Sequence, residues 1–510
     1  MSEEVYKPTV AKNDPKWISV VGSSRRYNRN KILAVLLIVL AMSLIQVSSV
    51  NVALSSIGHA TGATPAEIQW VLAGYALAIG IALVPSGRLG DIFGRAELFM
   101  IGLAAFTLAS TACGLVSDAL WLNILRIVQG LAAGVFSPQV TGIIQQYFSG
   151  QARAKAFSLF GFVISVSVAL GPVLTGLLIT WFGGDLGWRS SFLINLPLGL
   201  IGLIAGAFWL PFNAEGKRRK AGKGSHLVAK MDLDPVGMVT LILAVLCIML
   251  PFASHGSAWR WALLPIAVVL GVGFVWWENR YAKRGKQPMV DLRLFTLTSF
   301  SYNVAVGLLQ FLGITSVFAL VAIYVQQGLL MSAMIAGLIG LPNALTSAIA
   351  ALWSGKYAIV RGRGLQVFAV TMMMLGVLIA GFCALLVPKG YSPWFMSIGF
   401  AVQGIGQDMM SSVNQTQAML DVPPALGGVA GGVTQTVQRI ATAIGNTITT
   451  GVLFAIVGTQ SSVEAWSKAL FASYLIIAII MALCVCVAVA YWRVGRKDTS
   501  VRRFGSAQRG

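Results

Sequence analysis

Apolar residues along this chain fall into long blocks that are separated by short polar stretches. Each block is about 20 residues long, which is the length that a helix needs to cross a hydrocarbon layer of roughly 30 Å. Because the bilayer core offers no water to bond the backbone, such blocks must be helical. The pattern predicts fourteen membrane spans, at residues 32–54, 67–86, 97–116, 119–139, 155–180, 191–211, 235–254, 260–278, 299–325, 331–353, 365–387, 393–413, 425–456 and 467–492.

Short sequence elements recur between the two halves of the chain. Val-Gln-Gly at 128–130 returns at 402–404, and Ser-Gly followed by a basic residue at 86–88 returns at 354–356. Parallel repeats of this kind are found in transporters, whose substrate sites lie between the repeats near the bilayer midplane. Chance similarity between glycine-rich helices is the alternative explanation.

The repeat and the basic stretches together predict how the chain is organised. The predicted parts are a cytoplasmic N-terminal tail (1–31), an N-terminal six-helix bundle (32–211), a basic cytoplasmic linker (212–234), two inserted transmembrane helices (235–278), a second basic linker (279–298), a C-terminal six-helix bundle (299–492) and a basic cytoplasmic tail (493–510). The predicted fold class is therefore an all-α polytopic membrane protein. The two inserted helices have no counterpart in the repeat.

The composition supports a membrane protein and argues against a nucleic-acid-binding protein. Charged residues make up only 11% of the chain, whereas soluble proteins carry about a quarter. The net charge is +20, but the basic residues lie in short runs between apolar blocks rather than on one face. With the N-terminus inside, 31 of the 37 basic residues fall on the cytoplasmic side, as the positive-inside rule requires. Both termini are therefore predicted to be cytoplasmic, in an inner membrane.

The chain shows no sequence pattern typical of a cofactor or an enzyme. Its five cysteines all lie in apolar blocks and lack metal-ligand spacing, so they are interpreted as small apolar residues. No Walker A sequence is present, which argues against direct use of ATP. We expect neither a cofactor nor a metal, and no enzymatic activity.

The segment GRLGDIFGR at 87–95 lies in the predicted cytoplasmic turn after the second span. Its glycines permit a tight turn between helices. Asp91 is expected near a helix N-terminus, where negative charge is favoured, and Arg88 and Arg95 are possible partners for a carboxylate. We interpret the three charges as a conformational latch; an ordinary turn with solvated charges is the alternative.

This segment resembles the loop signature of the major facilitator superfamily. Three further segments resemble motifs of the same superfamily: LNILRIVQG at 122–130, GPVLTG at 171–176 and WRSSFLINLPLG at 188–199. The last of them resembles the fourteen-helix drug:proton antiporter branch. The resemblance covers essentially the whole chain and implies two six-helix bundles with two inserted helices.

The resemblance also implies roles for individual residues. Asp91 and Arg95 would help hold the cytoplasmic side closed, and Arg126 would support proton translocation. Gly171, Pro172 and Gly176 would set the kink on which rocking depends. The alternatives are an ion pair or a carbonyl contact for Arg126, and plain helix packing for the glycines.

The chain departs from that branch at the residue that usually couples transport to protons. Gln46 stands where the first helix typically carries an aspartate, and glutamine cannot take up and release protons. Asp408 is the one acidic residue well inside a predicted span, whereas the other sixteen lie in tails, loops or span ends. An ionisable residue inside the membrane is a functional hypothesis by default, so we expect Asp408 and Arg126 to take part in proton coupling. Alternatively, Asp408 is a buried acid that pairs with Arg439 or bonds a neighbouring helix.

Polar uncharged residues in the spans are the candidates for a substrate cavity. They are Gln46, Asn51, Tyr75, Gln129, Gln310, Tyr324, Gln407, Gln435 and Gln438. Each could instead be a hydrogen bond between helices. A cavity with a single carboxylate offers little to multiply charged cations, so the expected substrates are neutral, zwitterionic or monovalent and lipophilic.

The sequence therefore predicts a proton-driven exporter of amphipathic small molecules that works by alternating access as a monomer in the lipid bilayer. One alternative is a dedicated exporter of an endogenous metabolite or lipid without proton coupling. Another, from a different class, is a membrane sensor or scaffold that transports nothing.

Overall fold

A computed structural model describes residues 9–10, 16–19, 25–212, 234–253, 258–355, 357–358, 361–458 and 462–507. The basic run at 217–220 and most of the predicted linker 212–234 lie outside the described residues. So does Lys356, the basic residue of the repeated segment in the second half.

A small antiparallel sheet precedes the first helix, inside the stretch that the sequence predicts as a polar tail. Its strands are β1 (Thr9–Val10), β2 (Trp17–Ser19) and β3 (Arg26–Asn28), in that order across the sheet. Ile18 pairs with Tyr27, and both side chains are buried. The tail is thus partly structured, because alternate residues of two strands bury an apolar pair.

Six helices follow the sheet. They are α1 (Arg29–Thr61), α2 (Pro65–Phe93), α3 (Arg95–Leu115), α4 (Ala119–Tyr147), α5 (Gly150–Leu193) and α6 (Asn195–Trp209). Local signals set their ends: Thr64 and Glu67 form a capping box at the start of α2, and Asp118 accepts from two backbone N–H groups at the start of α4. Gly183 has a positive φ of 80° near the end of α5, where helix direction changes.

The helices α2 and α4 pack closely because small residues line their contact. A Cβ atom on Gly130 would lie 2.5 Å from the carbonyl oxygen of Tyr75, and one on Gly134 would lie 2.5 Å from the Cβ of Ala82. No side chain fits into such a gap. Glycine here brings two backbones together, as is usual between membrane helices.

The two inserted helices form a hairpin of α7 (Pro235–Ala253) and α8 (Leu263–Lys283). The hairpin lies against α2, where Leu77 packs with Val245 and Met249. The second helix extends five residues beyond the predicted end at 278, so Glu278 lies inside a helix rather than at its end.

The remaining helices are α9 (Thr298–Ile314), α10 (Val317–Ile323), α11 (Ala333–Ser354), α12 (Gly362–Leu386), α13 (Met396–Ala418), α14 (Gly427–Val457) and α15 (Val463–Ala507). The predicted span 299–325 is interrupted between α9 and α10 and continues into a π-helical turn at Tyr324–Gly328. The predicted span 425–456, long enough to be tilted or broken, is one continuous helix of 31 residues.

Twelve helical stretches in the described part of the chain are long and apolar enough to cross a membrane. One of them, 150–209, is 60 residues long and contains two of the predicted spans. The polar helix α13 is outside this set. The prediction of an all-α polytopic protein is confirmed. The count of fourteen spans and the orientation of the termini stay predictions. Both are compatible with these helices.

The chain forms two compact units whose boundaries cross those of the sequence repeat. The first unit contains residues 1–149, 166–294 and 422–440, and the second contains 150–165, 295–421 and 441–510. The segment 422–440 belongs to the first unit because the start of α14 packs on α2: a Cβ on Gly432 would lie 2.6 Å from the carbonyl oxygen of Leu83. The start of α5 belongs to the second unit, where Ser158 donates to the carbonyl of Ala351 in α11.

Candidate functional site

Asp91, near the end of α2, is bonded to the start of α14 in the first unit. Its two carboxylate oxygens accept from the backbone N–H groups of Gly428 at 3.1 Å and Val429 at 3.0 Å. These groups lie in the first turn of a helix, where N–H groups lack partners and the helix dipole favours an anion. Arg95 forms an ion pair with Asp91 at 2.6 Å, and both side chains are 3% exposed.

Arg95 contributes further bonds that hold neighbouring segments together. Its Nη1 donates to the carbonyl of Gly142 in α4 at 2.6 Å, and its Nη2 donates to the carbonyl of Pro424 at 2.6 Å. Arg88 points to a different segment: its Nη2 donates to Gln287 Oε1 at 3.0 Å, beyond α8. The structure thus brings together two of the three predicted latch residues and directs the third to the linker after the inserted hairpin.

The corresponding contact in the second unit includes a hydrogen bond between neutral groups. Gln151, at the start of α5, donates through Nε2 to the carbonyl of Gly355 at 3.0 Å. A Cβ on Gly355 would lie 2.4 Å from the Cβ of Ser158 if neither residue shifted, so the helices are in close contact. Arg153, also near the start of α5, interacts electrostatically with Asp421, so this unit has charged groups in the same region.

Arg126 is buried in the first unit and its polar partners are neutral. Its Nε donates to the carbonyl of Val71 at 2.9 Å, and its Nη1 donates to Gln129 Oε1 at 2.7 Å. The guanidinium lies 4.1 Å from the centroid of the Tyr75 ring, close enough for a cation–π contact. No carboxylate forms an ion pair with Arg126 among the described residues, and its partners are a carbonyl, an amide and an aromatic ring.

Gln46, at the position of the branch's usual acid, is fully buried and bonded within the first unit. Its Oε1 accepts from Asn195 Nδ2, and the same Nδ2 contacts Ser110 Oγ at 2.8 Å. Asn195 belongs to the segment 188–199 that resembles the drug:proton antiporter branch. An amide therefore binds an amide here, and neither side chain is ionisable.

The glycines of the segment 171–176 differ in their surroundings. A Cβ on Gly171 would collide with Ser48 on α1, whereas one on Gly176 would meet nothing within 4 Å. Ser49 donates to the carbonyl of Gly171 at 3.1 Å, which ties α1 to α5 next to Pro172. Gly171 is thus a packing contact between helices, and Gly176 is not.

Asp408 lies on α13 in the second unit, with only 2% of its surface exposed. Ser347 on α11 lies beside its carboxylate, and the Ser347 hydroxyl donates to the carbonyl of Ala344 at 3.2 Å and lies 2.9 Å from Ser165 Oγ on α5. Its Oδ2 has no hydrogen-bond partner within the described parts of the chain. A buried carboxylate with one free oxygen can accept a proton without displacing another ligand.

The other predicted cavity residues fall into separate environments. Tyr75 lies 3.4 Å from Ser43 Oγ, Gln435 accepts from Ser137 at 2.6 Å, and Tyr324 bonds Ser467 at 2.8 Å. Gln129 and Gln310 are buried, Gln407 and Gln438 are partly buried, and Asn51 is exposed. Gln46, Gln129, Tyr75, Gln435 and Gln438 are in the first unit, and Gln310, Tyr324 and Gln407 are in the second.

Two further buried acids were placed at span ends by the sequence. Asp234, just before α7, and Glu278, on α8, are 0% and 1% exposed. The sequence did carry a signal for Asp234, because an acidic residue directly before Pro235 is a typical helix start. Nothing local marked Glu278, whose burial depends on what packs against its helix.

A sequence profile of the Major Facilitator Superfamily matches residues 36–258 and 236–446. The matches together cover more than half of the chain, so the protein belongs to the Major Facilitator Superfamily. It is therefore a multi-pass membrane protein of a transporter family, as the sequence motifs predicted.

Named relatives and a solved structure agree with this assignment. The chain is similar to the probable actinorhodin transporter of Streptomyces coelicolor, with 31% identity over 426 residues that cover 82% of this chain and 72% of the relative. It is similar to the multidrug resistance protein Stp of Mycobacterium tuberculosis, with 28% identity over 452 residues, 87% of this chain and 78% of the relative. The structure of the proton:xylose symporter XylE matches with a TM-score of 0.61 and 15% identity, over 89% of this chain and 95% of XylE, which shows a shared fold.

Proposed function

We propose that this protein exports amphipathic small molecules across the cytoplasmic membrane by alternating access, in exchange for protons, with Asp408 as the coupling acid. The observation that carries the proposal is the environment of Asp408: a buried carboxyl group in a predicted span, beside Ser347, with one oxygen that has no hydrogen-bond partner among the described residues. Ionisable residues inside the membrane are costly and usually mark ion or proton pathways. Gln46 cannot take this role, since it is an amide bonded to Asn195.

Export as the direction of transport is supported by the relatives. One is named for multidrug resistance and another for transport of actinorhodin. In the proposed cycle, the contact of Asp91 with Gly428 and Val429 holds the protein closed at the face that the basic residues assign to the cytoplasm. Opening to that face requires the start of α14 to leave α2, and the antiporter-motif residues Gly171 and Pro172 keep α1 and α5 together meanwhile.

The proposed substrates are neutral, zwitterionic or monovalent and lipophilic. The polar groups offered by Tyr75, Gln435 and Gln407 are uncharged, and Arg126 is already bonded to a carbonyl and an amide. Such groups can orient a ligand through hydrogen bonds but cannot neutralise two positive charges. Monomeric function is proposed as well.

The test is dye efflux from proteoliposomes with an imposed proton gradient, run for wild type and Asp408→Asn. The matched control is Asp291→Asn, because Asp291 lies outside the predicted spans. It forms an ion pair with Arg293, whose side chain is 86% exposed. We expect wild type and control to export and Asp408→Asn to lose gradient-driven export by about tenfold or more, as expected when a coupling group is removed. Equal export by all three proteins would show that Asp408 is structural.

A second candidate function is export of one endogenous compound without proton coupling. It is favoured by Gln46 and by the relative named for a single product. Transport confined to one metabolite, and unchanged when a protonophore collapses the gradient, would support this candidate over the first.

A further inference from the structure

The inserted hairpin carries two buried acids at the same end. Asp234 immediately precedes α7, and Glu278 lies in the last part of α8, so both face the linker that follows the hairpin. Both are at least 99% buried. Neither belongs to the cluster around Asp91 or to the surroundings of Asp408.

One carboxylate oxygen of Asp234 has hydrogen-bond partners, whereas the other oxygen of Asp234 and both oxygens of Glu278 have none of regular geometry among the described residues. Its Oδ1 accepts from the backbone N–H of Gly237 at 3.0 Å and from Trp277 Nε1 at 2.8 Å. Within the described residues, Asp234 Oδ2 and both oxygens of Glu278 make no hydrogen bond of regular geometry. These three oxygens are acceptors only while both acids are ionised, so they cannot bond one another without a proton.

The unbonded oxygens border the same gap. A Cβ atom on Gly237 would lie 2.5 Å from Asp234 Oδ2 and 2.7 Å from Glu278 Oε1. The two carboxyl groups are therefore neighbours, and they interact electrostatically. The gap exists because residue 237 has no side chain.

No cation neutralises the pair within the part of the chain that the structure describes. Glu278 is faced by the Asp234 carboxyl and by the backbone N–H groups of Met289 and Val290. The cations of the surrounding elements have other partners: Arg280 lies over Trp276, Lys286 lies over Tyr281, and Arg88 of α2 donates to Gln287. Lys283 and Arg284 at the end of α8 are exposed, and Arg293 pairs with Asp291.

We propose that Asp234 and Glu278 form a proton-binding site that holds one proton between their carboxyl groups and thereby keeps the linker 284–290 attached to the inserted hairpin. One proton supplies a donor between the two carboxyl groups and removes one of two adjacent negative charges. A proton held between two interacting carboxyl groups belongs to the pair rather than to either residue. A metal ion fits less well, because the N–H groups of Trp277, Met289 and Val290 all present hydrogen atoms to the site.

The site is joined to the contact between α2 and α14. The linker that faces Glu278 also contains Gln287, which accepts from Arg88, and Arg88 precedes Asp91 by one helical turn. Loss of the proton leaves two charges in a dry environment and weakens the attachment of the linker. The inserted hairpin thus gains a role as a second proton site, which depends neither on the substrate nor on Asp408.

The test is hydrogen exchange of the linker, measured by mass spectrometry on the full-length protein in lipid nanodiscs from acidic to alkaline pH and corrected for intrinsic exchange rates. In wild type, we expect protection of residues 284–290 to fall by about tenfold or more as pH rises, since hydrogen bonds to buried charged groups contribute on that order. In Glu278→Gln the amide donates to Asp234 as the shared proton does, so protection is expected to stay high at every pH.

Asp234→Asn is the second variant, because its amide supplies the same donor from the other side. Asp291→Asn, in the same linker but outside the pair, is the matched control and should behave as wild type. Linker protection in wild type that does not change with pH, or that changes equally in wild type and both amide variants, would overturn the proposal. Asp408→Asn is expected to leave this readout unchanged, which separates this site from the proposed coupling acid.

Discussion

Replacing Asp91 by asparagine should shift the protein away from the conformation described here. Asparagine has nearly the same shape, so the turn between α2 and α3 is kept while the charge is lost. The ion pair with Arg95 spans only four residues and would survive separation of α14 from α2. The bonds that depend on the conformation are those that Asp91 accepts from Gly428 and Val429.

The magnitude follows from these two bonds. Hydrogen bonds to a charged group contribute about 1.5–3 kcal/mol each, and an anion at a helix N-terminus contributes about 0.3–2 kcal/mol that overlaps with them. Asparagine keeps one acceptor oxygen, so a loss of about 2–4 kcal/mol is expected. Each 1.4 kcal/mol corresponds to roughly a factor of ten, so the equilibrium should shift by about 30- to 1,000-fold.

Hydrogen exchange of residues 422–432 and 86–95 in nanodiscs measures this shift directly. We expect Asp91→Asn to lose protection in both segments together, because they separate in one movement. Asp185→Asn is the matched control, since Asp185 also pairs with an arginine four residues away, Arg189, but is 59% exposed. Unchanged protection in Asp91→Asn would refute the reasoning, as would an equal loss in the control.

Two further predictions concern buried contacts of the first unit. Asn195→Ala should lower stability by about 1–3 kcal/mol because Gln46 then keeps a buried oxygen without its donor, whereas Asn51→Ala, at an exposed position, should change little. Thermal unfolding of the purified variants in detergent checks both, and equal melting temperatures would contradict the first. Gly134→Ala should cost about 1–3 kcal/mol because the added methyl group overlaps α2, whereas Gly176→Ala has open space and should be tolerated. The yield of monodisperse protein and its melting temperature distinguish the two, and similar behaviour of both variants would mean that α2 and α4 can separate without penalty.

Several features of this protein were determined by the sequence alone. Lengths of apolar blocks predicted the helices, because the thickness of the bilayer and the absence of water impose both length and secondary structure. The sequence also identified the turn 87–95, Arg126 and Asp408. Charged residues are rare inside a membrane, so each one within or next to an apolar block is easily recognised in the sequence. The family was evident from four local motifs in order.

Other features were decided only by tertiary packing. The partners of Asp91 lie more than 330 residues away, at a helix start whose N–H groups carry no mark in the sequence. The binding of Gln46 to Asn195 likewise joins helices that only packing brings together. Asp234 and Glu278 were placed at span ends by hydropathy, which averages over a window, but burial depends on what covers each side chain. A sequence pattern therefore predicts which residues enter the membrane, and the contacts between helices decide which of their polar groups have hydrogen-bond partners.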